Sequence, residues 1–243
     1  MKILVANPNS SQPVIEVIER SARSKVVNPD TEIIMLRNYR GTKGIDCTFA
    51  DYQSAWSIMR EIIKKVESEK IDAVVLAGFG NLGIYALKEA LSIPMLSMSE
   101  TSMTIAAMMG HKFTVLTTMR NNIPLLEDLV RLYCLEGKCA SVRGIDINVE
   151  ECVTHRERAM NGLKEEILKI VEQDGAEVVI LGSAGLCGYN EDLQELAKIP
   201  VLDPVAVTVK MAEMMVETGL SHSKKRKFAN PPQELSAYFW DGE

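Results

Sequence analysis

The sequence contains no apolar run near the roughly 20 residues that cross a bilayer, and its Met-rich stretch from Met103 to Met109 is broken by polar residues and Gly110. An integral membrane protein is thereby excluded. It also lacks a clustered positive face, and its formal net charge is −6. Nucleic-acid phosphates reward concentrated lysine and arginine, so a small-molecule partner is expected instead. The three histidines, His111, His155 and His222, stand at no metal-ligand spacing with cysteines or carboxylates, so no metal site is expected. The five cysteines form neither an even set nor a tight pattern. Met1-Lys2-Ile3-Leu4-Val5 reads as a strand without signal-peptide architecture. A reduced, cytoplasmic protein is expected.

What is present is an alternation. Short β-branched runs at residues 3–6, 32–36, 73–77, 95–98, 113–117, 142–145, 178–182 and 201–203 alternate with segments of helical period. That is the pattern of parallel sheets covered by helices. Tyr52–Lys65 carries Ala55, Ile58, Met59, Ile62 and Ile63 at helical spacing, and Arg158–Val171 repeats the device with Leu163, Ile167 and Ile170.

The chain also nearly repeats itself. Val74-Val75-Leu76-Ala77-Gly78-Phe79-Gly80-Asn81-Leu82-Gly83 aligns with Val179-Ile180-Leu181-Gly182-Ser183-Ala184-Gly185-Leu186-Cys187-Gly188, and Ile93-Pro94-Met95-Leu96 with Ile199-Pro200-Val201-Leu202. The expected fold is α/β, with two pseudo-symmetric, doubly wound parallel-sheet lobes over residues 1–110 and 111–216, and residues 217–243 packing back or forming a tail. Ligands of open parallel sheets bind beyond the carboxyl ends of the strands, so the strand-end loops should enclose one shared cleft.

Those loops supply the candidates. Asn7-Pro8-Asn9-Ser10-Ser11 follows the first strand, and its polar side chains serve equally well as helix caps or as a cradle for a carbonyl or carboxylate. Thr117 and Thr118 occupy the equivalent place in the second half. The Gly80-x-x-Gly83 and Gly185-x-x-Gly188 turns lack the dinucleotide fingerprint, yet their N–H groups could stabilise an enolate oxygen. Gly182-Ser183-Ala184-Gly185 is no nucleophile elbow. Lys224-Lys225-Arg226-Lys227 reads as a solvated charge run, with an anion clamp as the lesser alternative.

Taken in order, Asn7 to Ser11, Gly41 to Asp46, Phe79-Gly80-x-x-Gly83, Glu100, Val115-x-Thr117-Thr118, Leu181-Gly182-x-Ala184-Gly185, Ile199-Pro200-Val201-x-Asp203 and Gly219-Leu220-x-x-Ser223 resemble the hydantoin and allantoin racemases of the aspartate/glutamate racemase superfamily. The resemblance spans nearly the whole chain. It implies an isomerase with no cofactor, an interlobe active site, a hydantoin, ureide or carboxylate substrate, and homo-oligomers. It further implies two cysteines on opposite faces of the substrate carbon, one removing the α-proton and the other returning one. Those positions here are Gly78 and Ser183. A thiol titrates at about 8.5 and can be tuned toward neutrality, whereas serine is a far weaker acid and glycine offers no side chain. Cys187, four residues beyond Ser183, is the substitute to consider, although such a cysteine also serves as core filler. Substrate contacts are expected from Asn7, Asn9, Ser10, Ser11, Phe79, Gly80, Asn81, Thr117, Thr118, Ala184 and Gly185. The alternatives are a diverged decarboxylase or lyase resembling arylmalonate decarboxylases, which share the first glycine, or a homologue that only binds.

Overall fold

A computed structural model describes residues 1–24 and 28–238. The first sheet is built from β1 (Lys2–Asn7), β2 (Glu32–Arg37), β3 (Ala73–Leu76) and β4 (Met95–Ser97), in the order β2-β1-β3-β4. The second repeats it with β5 (Phe113–Thr117), β6 (Cys139–Gly144), β7 (Val178–Leu181) and β8 (Val201–Leu202), in the order β6-β5-β7-β8. All pairings are parallel. Val5 stands opposite Met35 and Val75, as Val115 stands opposite Val142 and Ile180. All eight strands fall on the β-branched runs, the main difference being that β6 starts at Cys139, ahead of the apolar Val142.

The helices are α1 (Gln12–Ala22), α2 (Thr48–Ser68), α3 (Ile84–Ala90), α4 (Met98–Met109), α5 (Ile123–Leu132), α6 (Val149–Thr154), α7 (Arg156–Lys169), α8 (Asn190–Ala197) and α9 (Pro204–Glu217). In α2 the buried stripe is Ala50, Asp51, Ser54, Ala55, Ile58, Ile62 and Ile63, an apolar seam containing one carboxylate. No described helix is long and apolar enough to cross a membrane.

Two helices do not stay with their own sheet. Helix α9 follows the last strand of the second sheet but packs on β1, β3 and β4 of the first, while α4 follows β4 and packs on β5 and β7. The two helices also pack on each other. One core is therefore shared, with Ile3 and Val75 from the first sheet, Val115 and Ile180 from the second, and Met98, Met103, Val205 and Val209 between them. Each sheet keeps a second core on its outer face, centred on Leu4, Ile58 and Leu76 in one half and on Leu116, Leu163 and Leu181 in the other.

Asp203 fastens this exchange. Its Oδ1 accepts from the α9 amides of Val205 (3.0 Å) and Ala206 (3.1 Å), capping the helix behind Pro204. The same carboxylate accepts from Ser21 Oγ on α1 at 2.6 Å and from Gly188 N at 3.1 Å. The basic segment is also tied down. Lys224 Nζ donates to the carbonyls of Lys88 and Glu89 at the end of α3, each at 2.7 Å, where the helix leaves unpaired acceptors. Ser221 Oγ donates to Ser92 O, and Phe228 lies 5.5 Å from the Tyr85 ring. The reading of a solvated run is thus corrected at Lys224: the cation is held by carbonyls, and desolvation lowers its pKa. Residues 239–243 of that segment lie outside the described residues.

Replacing Asp203 by alanine should cost about 2–4 kcal/mol, since it removes a cap and leaves Gly188 N–H and Ser21 without their acceptor. Urea denaturation measures this. A loss below about 0.5 kcal/mol would mean that the packing of α9 needs no such anchor.

Candidate active site

The carboxyl ends of β1, β3, β5 and β7 converge on one cleft, a cavity of about 50 Å³. A buried water occupies roughly 10–15 Å³ on that measure, so the enclosed part takes a compact molecule of a few heavy atoms. Of the residues expected from sequence, Asn9, Gly78, Phe79, Gly80, Thr117, Thr118, Ser183 and Ala184 line it. The sequence reading missed Pro8, Ile45, Leu82, Asn122, Leu125, Leu126 and Val149, which supply most of its apolar wall.

Asn7, Ser10, Ser11, Asn81 and Gly185 are not on the lining. Asn7 is fully buried and donates through Nδ2 to Asn9 Oδ1 (3.1 Å), while its own Oδ1 accepts from Asn9 N (3.2 Å). Asn9 Oδ1 also accepts from Ser11 N at 3.1 Å, so its oxygen is committed within the loop and its NH2 is the group left to a ligand. Ser11 stands at the N-cap of α1 without making a side-chain cap bond. Ser10 N donates to Thr42 O at 2.9 Å, pinning the loop from behind.

On the second sheet, Thr117 Oγ1 donates to Gly182 O at 3.2 Å, joining the ends of β5 and β7. Ser183 Oγ accepts from Gly185 N at 3.3 Å and caps the short turn Ala184–Leu186. That bond leaves its hydroxyl proton unused. Asn122 Nδ2 donates to Ile45 O (3.3 Å) and Asn121 Nδ2 to Asp46 O (2.9 Å), lacing the loop before α2 to the start of α5. Among the described residues lining the cleft, none is charged. Among the described residues, no three His, Cys, Asp or Glu gather as metal ligands.

Cys187 is elsewhere. It is buried against Ser21 and Asp203 and lines a separate cavity of about 520 Å³ with Arg20 and Arg156. Burial pushes its thiol well above the ordinary range, and the Asp203 carboxylate pushes it further. A thiol that is neither on the cleft nor ionised near neutrality carries no proton there, which removes Cys187 from the candidate acid–base groups.

Behind the first wall lies a carboxyl the sequence reading did not single out. Asp51, 3% exposed, accepts from Leu82 N–H and keeps Oδ1 without a hydrogen-bond partner directly beneath Gly80. A Cβ at Gly80 would collide with that oxygen unless the Asp51 side chain moved, so glycine permits this close approach. Burial raises the Asp51 pKa above the ordinary 3.8, and the Leu82 amide only partly opposes this. Asp46 is raised for the same reason, desolvation, opposed by the Val149 backbone.

With the geometry in place, the class of protein is that of the two-sheet isomerases. The fold superposes with allantoin racemase from Pseudomonas fluorescens at a TM-score of 0.91 and 34% identity, covering 96% of this chain and 98% of the other. Allantoin racemase from Klebsiella pneumoniae gives a TM-score of 0.91 at 29% identity, covering 96% and 95%. The hydantoin racemase of Pseudomonas sp. (strain NS671) is 32% identical over 96% of this chain and 93% of its own length. The family described as Asp/Glu/Hydantoin racemase matches residues 3–212, and the chain belongs to it.

The Asp51 carboxyl gives a pH signature. Its folded pKa is raised, so its contribution to stability is greatest below the unfolded value of 3.8 and is lost as pH rises through the folded value. Relative to the parent, Asp51→Asn should therefore gain stability between pH 4 and pH 7 in denaturant titrations. A difference that is flat or runs the other way would mean that Asp51 is ionised in place at no cost.

Proposed function

We propose that the cleft holds a small, neutral cyclic amide of the hydantoin or allantoin type and that the protein works on it by proton transfer at the carbon α to a ring carbonyl, without a cofactor. The observation that carries this reading is the chemistry of the lining: three hydroxyls, the carboxamides of Asn9 and Asn122 and main-chain amides amid apolar side chains, with no charged side chain among the described residues. A free amino acid or a malonate would bring a carboxylate into that space, and a buried carboxylate needs a cation or several donors to offset its desolvation. A neutral ureide ring brings carbonyls and N–H groups that hydroxyls and carboxamides can match. The names of the relatives, hydantoin racemase and allantoin racemase, support the same substrate class.

In this reading residues 1–110 and 111–216 act as opposing walls. Asn9, Thr117 and Thr118 engage the ring, and the Phe79, Gly80 and Ala184 backbone stabilises enolate charge. Asn7, Ser10, Ser11, Asn81 and Gly185 hold those loops. Gly78 and Ser183 occupy the places that the resemblance gives to the two acid–base thiols. Neither is a base near neutral pH, so proton transfer runs without its usual general acid–base contribution, roughly 10²–10⁴-fold. Gly78 and Ser183 also favour a second reading, ureide binding without turnover. The five free cysteines support a cytoplasmic setting. Phe49 (80% exposed) and Tyr52 (74% exposed), one turn apart on α2, support a homo-oligomer.

Deuterium uptake at the α-carbon of 5-methylhydantoin in D2O, followed by NMR, tests the reaction. Ser183→Cys should raise the exchange rate by about 10²–10⁴-fold over the parent, and exchange should outrun loss of optical rotation because only one face then carries a thiol. Binding without exchange in both proteins would favour the binding-only reading. Neither binding nor exchange would contradict the substrate class.

A further inference from the structure

The two walls of the cleft are chemically unlike. The second-sheet wall offers the Ser183, Thr117 and Thr118 hydroxyls, whereas the first-sheet wall over Gly78 is closed by hydrocarbon. A Cβ at position 78 would collide with Leu82 Cδ1 and stand 2.7 Å from Pro8 Cγ. The space beside Gly78 is therefore filled by Leu82 and Pro8.

Leu82 is held in that position at a cost. Its φ of +47° is in the left-handed region that side-chain-bearing residues rarely adopt, and only 1% of it is exposed. Its amide is anchored on Asp51, and Gly83, with φ of +74°, completes the turn. A leucine forced through such a backbone and buried in the wall of a cleft points to a shape requirement at that spot. A loop that needed only a turn would take glycine or asparagine there.

We propose that Leu82 is the specificity-determining residue of this cleft. With the Pro8 ring it takes the volume over Gly78, so a ligand's α-substituent has no room on that side, while the Ser183, Thr117 and Thr118 hydroxyls lie on the second-sheet side. The parent protein consequently selects hydantoins bearing hydrogen or methyl at C5 over those with larger substituents, the 5-ureido group of allantoin included, which narrows the ureide class to its smallest members. The inference rests on the ureide reading of the site.

The test is a series of hydantoin, 5-methyl-, 5-isopropyl- and 5-benzylhydantoin titrated calorimetrically against the parent, Leu82→Ala and Leu82→Gly. The glycine variant relieves the left-handed backbone, and so provides a folded protein if the alanine variant unfolds. Each buried methylene contributes about fourfold in affinity, so the 5-isopropyl compound should gain on the order of tenfold or more in the variants, while unsubstituted hydantoin gains nothing. The same ranking in the parent and both variants would overturn the role of Leu82 and leave the ureide reading standing. Failure of the parent and both folded variants to bind any of the four would overturn the ureide reading itself, and this inference with it.

Discussion

Everything about the site depends on the exchange of α4 and α9 between the two sheets. If each helix covered its own sheet, the halves would be independent units with strand ends free to point anywhere. Because α9 lies on the first sheet and α4 on the second, both sheets share one apolar core, and Ile3, Val75, Val115 and Ile180 meet around Met98 and Val205. The carboxyl ends of β1, β3, β5 and β7 are thereby brought around one space. Asp203 adds direction to this non-directional burial, since a single carboxylate caps α9 and binds α1 and the Gly188 turn.

The chemistry of that space follows from what the loops can and cannot offer. Its donors and acceptors are neutral, and among the described residues no lining side chain is charged. Charge developing on a substrate oxygen would be met by fixed hydroxyls and main-chain amides in a small, mostly apolar enclosure, where such dipoles act more strongly than in water. Ser183 spends its oxygen on Gly185 N and keeps only a weakly acidic proton. On the opposite side Leu82 and Pro8 present hydrocarbon beside Gly78. The left-handed conformation costs Leu82 roughly 1–2 kcal/mol, against about 1.5–3 kcal/mol for burying a leucine side chain, so burial meets the strain.

Much of this was legible in the sequence. Short apolar, β-branched runs located the eight strands described, and the repeat of Val74–Gly83 in Val179–Gly188 foretold two equivalent parallel sheets. Eight cleft residues were also legible, because strand ends in parallel sheets are where ligands bind. The exchange of helices was not, since an apolar stripe says that a helix is buried and is silent on which sheet buries it. Leu82 was read as part of a glycine turn; its effect on position 78 emerges only when both are placed in space. Cys187 misled by proximity in sequence, because the turn Ala184–Leu186 carries its side chain away from Ser183 into a different cavity. Lys224 looked solvated because nothing in a charge run announces the carbonyls of a distant helix end.

An uncharged cleft at the joined strand ends should select a neutral cyclic amide over an anion of the same size. Calorimetric titration of the protein with 5-methylhydantoin and with its ring-opened N-carbamoyl acid tests it most directly, since the two share their atoms but for one water and differ by a carboxylate. The account predicts that the ring binds and that the open-chain anion binds at least tenfold more weakly or not at all. Equal or tighter binding of the anion would contradict it.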